Sequence, residues 1–193
     1  DYEAYITEPD IKEALRKLNQ LRVLCAVRKG EQGLHAVNRG IENLLHERKL
    51  IRLDSEYYEN RPVIVTSNNY ALGLYNGDIG LIRADRDGRL KAWFEDAEGN
   101  LNAVLPGYLN QVETVYAMTI HKSQGSEFNS VLVILPRQEN VALLTRELLY
   151  TGVTRARNQV LIQAAEAGIF KAASAQVERA SGIAQRFIES PTR

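Results

Sequence analysis

The chain has 193 residues, 45% of them hydrophobic and 25% charged, and its 24 basic and 24 acidic side chains cancel. This is room for one good core, or one core with a small appended unit. The balance excludes a bulk basic field but leaves a locally basic face open. The lone Cys25 excludes a disulfide framework and a cysteine-based zinc site.

The chain opens at Asp1 without a methionine, in the manner of an internal stretch of a longer protein. Thr7-Glu-Pro-Asp10 is a helix start, with a hydroxyl cap, acids and a proline in the first turn. Ile11, Leu15 and Leu18 then repeat at helical spacing. Leu21–Val27 is a buried strand holding Cys25 as an inert thiol, and it ends in the loop Arg28-Lys-Gly-Glu-Gln-Gly33. Leu34–Leu45 is a second helix with Val37, Ile41, Leu44 and Leu45 on one face. This alternation belongs to an α/β domain with a parallel sheet.

From about residue 55 to 111 helical periodicity disappears. Short β-prone runs, Pro62–Thr66, Ile79–Ile82, Leu90–Phe94 and Leu101–Val104, alternate with the turn signals Asn76-Gly77, Asp87-Gly88 and Glu98-Gly-Asn100. They predict a small antiparallel barrel inserted into the α/β domain. The α/β pattern resumes with strands at Val115–Met118, Ser130–Leu135 and Val160–Ala164, and a helix from Leu143 to Ala156. A helical tail follows from Gly168 to Arg193, with a break at Ser181-Gly182 and Pro191 near its end. No run approaches the ~18 apolar residues of a membrane span, no signal-peptide pattern opens the chain, and a cytoplasmic setting is expected.

Two motifs carry chemistry. The strand before Thr119 runs into a turn with His121, Lys122, Gln124, Gly125 and Glu127. There Gly125 lets the backbone approach a ligand, Glu127 can accept from a sugar hydroxyl, and Lys122 can face a phosphate. A plain solvated turn is the alternative. The second motif, Thr154-Arg-Ala-Arg157, places a hydroxyl and two guanidinium groups at a helix end; they either face a phosphate or merely complement the helix dipole. Arg28 and Lys29 add bases at a strand exit without dinucleotide-fingerprint spacing. His35, His46 and His121 are too scattered for a metal pair, and no metal ligand is assigned. No Gly-x-x-x-x-Gly-Lys-Ser/Thr occurs, so a complete NTPase site cannot be assembled from these residues.

Met118-Thr-Ile-His-Lys-Ser-Gln-Gly-Ser-Glu-Phe128 resembles motif V, and Tyr150-Thr-Gly-Val-Thr-Arg-Ala-Arg157 motif VI, of superfamily 1 DNA helicases. Val23-Leu-Cys-Ala-Val-Arg-Lys-Gly30, with Gly33 and Asn38, resembles motif IV of the RecD branch, the exodeoxyribonuclease V helicase subunits. Arg61-Pro-Val-Ile-Val65 and Leu72–Gly80 resemble the SH3-like domain inserted in that branch. The resemblance implies a RecA-like motor domain 2A at 1–54 and 112–193, interrupted by an SH3-like barrel (2B) at 55–111. It also implies an ATP-driven 5′-to-3′ translocase acting on single-stranded DNA in double-strand break repair, with RecB- and RecC-like partner subunits.

The same resemblance carries roles over to single residues. Arg155 is the catalytic arginine that reaches the γ-phosphate; Gly125, Glu127 and Arg28 are on the ATP side; Thr119, His121 and Lys122 are on the DNA side. Arg157 receives no role. The P-loop and the Mg²⁺ carboxylates are expected upstream, outside this sequence. A non-catalytic docking module, or another superfamily 1 motor of the Pif1-like or relaxase-linked kind, remains open.

Overall fold

Two hydrogen-bonded sheets organise the chain in a computed structural model that describes residues 2–137 and 143–175. In chain order the elements are α1 (Glu3–Ile6), α2 (Ile11–Leu18), β1 (Leu21–Cys25) and α3 (Leu34–Glu47). Then come β2 (Pro62–Val65), β3 (Ile79–Ala84), β4 (Leu90–Glu95), β5 (Leu101–Val104) and β6 (Val112–Thr114). The last group is β7 (Ala117–Thr119), β8 (Phe128–Ile134), α4 (Arg146–Val153), β9 (Ala156–Gln163) and α5 (Glu166–Ser174).

Strands β7-β1-β8-β9 form a parallel sheet. Continuous apolar runs suit it because helices cover both faces. Val23, Cys25, Ala117 and Ile134 pack under Leu34, Val37 and Ile41 of α3. On the other face Leu24, Met118, Val131 and Val133 meet Leu144, Leu148 of α4 and Ala172 of α5. The four strands expected to share a sheet do so.

Strands β5-β4-β3-β2-β6 form a separate antiparallel sheet. Its hairpin turns are fixed by aspartates: Asp85 Oδ1 accepts from Asp87 and Arg89 N–H, and Asp96 Oδ1 from Glu98 and Asn100 N–H. Val63, Val65, Ile82, Ala92, Phe94 and Val104 make its core. At Gly80 an added Cβ would lie 2.5 Å from the Phe94 ring, so only hydrogen fits. The hydrogen-bonded order does not join β5 to β6.

Several boundaries differ from the sequence expectation. The first full helix is capped by Asp10, whose side chain accepts from Glu13 N–H, while Thr7 instead ends the short α1. The expected strand Val115–Met118 is shortened and shifted: Val115 and Tyr116 are the connection from β6, and pairing with β1 begins only at Ala117, opposite Val23. Helix α4 stops at Val153, and β9 begins at Ala156 rather than Val160, because Phe128 N–H takes the Arg155 carbonyl at 2.8 Å and starts the pairing early. The first part of the expected helical tail is α5; residues 176–193, with the expected break at Ser181-Gly182 and Pro191, lie outside the described residues.

The sheets are joined by buried polar contacts. Arg83 of β3 donates to the carbonyls of Tyr5 at 3.0 Å and Ile6 at 3.3 Å, to that of Glu8, and to Asn60 Oδ1. It thereby adds a side-chain donor to carbonyls at the end of α1, where helical pairing runs out. Val115 and Tyr116, both 0% exposed, connect β6 to β7. The Tyr116 hydroxyl lies 3.3 Å from that of Tyr58 and accepts from Tyr5, and its carbonyl accepts from Tyr2. Burial raises the pKa of each of these four phenols.

Candidate functional site

Strand β7 lies at the edge of the parallel sheet, where free main-chain groups would otherwise need water or a partner. Asn38 of α3 supplies that partner through both ends of its carboxamide, each bonded to Ala117. From this fixed strand the chain enters a tight 3-10 turn, His121–Ser123. Thr119 Oγ1 accepts from Lys122 N–H at 3.3 Å, and the fully buried Ser123 hydroxyl donates to the Ile120 carbonyl at 2.7 Å. Gly125 then adopts φ +85°, a conformation costly to residues bearing a Cβ, and lets the chain turn toward Glu127 and β8.

The candidate residues fall into two groups. Beyond the carboxyl ends of β1 and β7, Arg28 and Lys122 share an open cleft. Glu113 of β6 also lines it, with Thr66, Asn76 and Gly77 of the connection from β2 to β3. Arg28 Nη2 lies 3.2 and 3.3 Å from the two Glu113 carboxylate oxygens. Burial lowers the pKa of the Lys122 ammonium, with Glu113 opposing that shift and Arg28 adding to it. Two cations and one carboxylate leave the cleft net cationic in its charged side chains, and Thr119 lies at the foot of its turn. His121 is exposed beside it.

At the amino ends of β8 and β9, where Phe128 and Ala156 are paired, the second group assembles. Arg155 follows α4, and three of its donors are engaged: Nε with the Thr151 carbonyl at 3.2 Å, Nη1 with the Ser126 carbonyl at 3.1 Å, and Nη2 with Thr154 Oγ1 at 3.3 Å. A guanidinium has five N–H groups, so two remain for a ligand. Arg157 Nε donates to Glu127 Oε2 at 2.9 Å. The segment from Gln124 to Ser126 belongs to both groups, lining the cleft while offering the Ser126 carbonyl to Arg155.

Arg28, expected on the nucleotide side, shares the cleft with Lys122 and with Gly125; Arg155 meets the Ser126 carbonyl, and Glu127 meets Arg157. Sequence reasoning missed Glu113, an acid in a β-prone run with no local signal, and the partner of Arg157. It also missed Arg22 of β1, which is 0% exposed. Arg22 donates to the Val115 carbonyl and, at 2.9 Å, to Asn19 Oδ1, and its Cζ lies 5.2 Å from the Phe128 ring centroid. Burial lowers its pKa. It supports the residue that opens β8, next to Glu127, from below.

Comparisons with known proteins identify relatives of this chain. Residues 114–162 match the UvrD-like helicase C-terminal domain, a span that holds the turn, β8, α4 and most of β9. The chain is 44% identical over 177 residues to the RecBCD enzyme subunit RecD of Mycolicibacterium smegmatis, covering 92% of this chain and 31% of that protein. It is 30% identical over 166 residues to the ATP-dependent RecD2 DNA helicase of Deinococcus radiodurans, covering 85% of this chain and 22% of that one. The chain therefore spans less than a third of the length of these curated relatives. Among solved structures, a Pif1 helicase from Bacteroides in complex with ADP-AlF3 and single-stranded DNA matches with a TM-score of 0.52 and 16% identity. That match covers 97% of this chain and 48% of the other and is a likeness of fold.

Proposed function

The chain belongs to the RecD-type superfamily 1 helicases, and from that premise we propose that the protein is an ATP-driven 5′-to-3′ translocase on single-stranded DNA. It works beside RecB- and RecC-like subunits of a cytoplasmic helicase–nuclease in double-strand break repair. Residues 1–54 and 112–193 form the second RecA-like motor domain of this machine, and residues 55–111 its SH3-like barrel. The five short antiparallel strands between α3 and β7 support that division.

The observation that carries the reading is Arg155. Its three hydrogen bonds fix the guanidinium while two N–H groups remain. A donor fixed before reaction stabilises charge growing on a transferred phosphoryl group without reorganising at that moment. Glu127 beside it accepts from a ribose hydroxyl, and Gly125 lets the main chain approach the nucleotide. ATP and Mg²⁺ bind chiefly to an upstream motor domain, whose closure on this one completes the site and whose reopening follows hydrolysis.

Thr119, His121 and Lys122 hold DNA phosphates. Arg28, which shares a cleft with both Lys122 and Gly125, serves the ATP side. One segment bears both kinds of contact, so closure on the nucleotide displaces the strand. The test is hydrolysis and unwinding by the full-length protein. DNA-stimulated ATPase with unwinding of duplexes bearing a 5′ tail, and not a 3′ tail, is expected. Absence of DNA-stimulated hydrolysis in the assembled complex would overturn the proposal.

A further inference from the structure

The proposed chemistry leaves Arg157 without a task, yet its guanidinium meets Glu127 at 2.9 Å across 30 positions of chain. The two side chains are 68% and 56% exposed. A pair so open to water contributes little to folding, so its effect lies in where it points a carboxylate. Glu127 needs such a restraint. It sits two positions past Gly125, around which nothing lies within 4 Å of an added Cβ.

Arg157, by contrast, is on β9, whose start is hydrogen-bonded to β8. Only Oε2 of Glu127 is engaged; among the described residues Oε1 accepts no hydrogen bond.

We propose that Arg157 is a positioning residue: by holding Oε2 of Glu127 it directs Oε1 toward a ribose hydroxyl and sets the preference of the site for ribonucleotides over deoxyribonucleotides. This rests on the assignment of Glu127 to the nucleotide's sugar. It differs from the role of Arg155, whose free donors face phosphate.

The experiment is steady-state hydrolysis of ATP and 2′-deoxyATP by the full-length protein, comparing wild type, Arg157→Ala, Glu127→Ala and the double variant. Arg157→Ala should raise the KM for ATP about two- to fivefold, the range open to an exposed ion pair. It should leave kcat and the KM for 2′-deoxyATP unchanged, so that discrimination narrows. The double variant should be no worse than Glu127→Ala. Equal rises in KM for both nucleotides, or a fall in kcat, would overturn the positioning role and place Arg157 on the phosphates or in the fold. If Glu127→Ala narrows discrimination and Arg157→Ala does not, the inference fails while the sugar assignment stands. If Glu127→Ala leaves discrimination unchanged, the sugar assignment itself fails.

Discussion

Asn38 and Ala117 form a closed pair: the Asn38 Nδ2 donates to the Ala117 carbonyl at 3.2 Å, and the Ala117 N–H donates to Asn38 Oδ1 at 2.8 Å. A side-chain amide thus substitutes for one residue of a neighbouring strand at the edge where β7 begins.

Asn38→Ala should therefore destabilise the protein by about 1–3 kcal/mol, because two buried main-chain groups lose their partner. Asn38→Asp should be worse, since a carboxylate cannot donate to the Ala117 carbonyl and would be buried as a charge. Urea denaturation of the three proteins gives the order.

Arg155→Ala in the full-length protein should lower DNA-stimulated ATPase by about 10³–10⁵. Folding should lose only about 1–3 kcal/mol from the three hydrogen bonds. Arg155→Lys should be almost as inactive, because one ammonium cannot span Ser126, Thr151 and Thr154 and still face a ligand. ATPase turnover and melting temperature measured on the same samples check both. Near-wild-type turnover with a lowered melting temperature would reduce Arg155 to a helix cap.

Gly80→Ala should cost about 1–3 kcal/mol by overpacking, since the new methyl group would lie 2.5–2.8 Å from three atoms of the Phe94 ring. Phe94→Leu in the same chain should recover part of that loss. A double-mutant cycle in urea measures the coupling; additive losses would mean that the ring is not the obstacle.

Burial pushes the Cys25 thiol and the Tyr2 phenol up to about 12 from ordinary values of 9.0 and 10.0. Above those ordinary values the unfolded chain releases these protons while the folded chain keeps them. Stability is therefore unaffected below about pH 9 and falls as pH rises toward 12, by about 1.4 kcal/mol per pH unit for each group titrating only in the unfolded state. Urea midpoints between pH 8 and 11 should decline accordingly. Native protein at pH 8 should resist alkylation at Cys25 and react once unfolded.

The parallel strands were legible from the apolar runs Val23–Val27 and Val131–Leu135, and the hairpins because Asp87-Gly88 and its counterpart at Gly99 demand tight turns. The division of Thr114–Met118 between two sheets was not legible. Both ends are equally β-prone, and only the partners, Val63 for Thr114 and Val23 for Ala117, decide it. The early start of β9 had no local signal either, since no glycine or proline stands between α4 and Ala156. In the site, single residues could be assigned from motifs, but pairings could not. Arg28 with Glu113 and Arg157 with Glu127 are separated by 85 and 30 positions, and nothing in the spacing couples them.

The Val115-Tyr116 connection makes the antiparallel sheet a poor candidate for excision. Had it been tethered by solvated glycine and serine, it could be exchanged or deleted as a cassette. Instead both linking side chains are at 0% exposure, with Tyr116 engaging Tyr5 and Tyr58 and the Val115 carbonyl engaging Arg22. The joint is therefore stiff: strain on β6 is transmitted to β7 through two peptide units with no slack to absorb it. Swapping the sheet for that of a relative would transplant a lever without its fulcrum unless Tyr5, Arg22, Tyr58 and Tyr116 travelled with it.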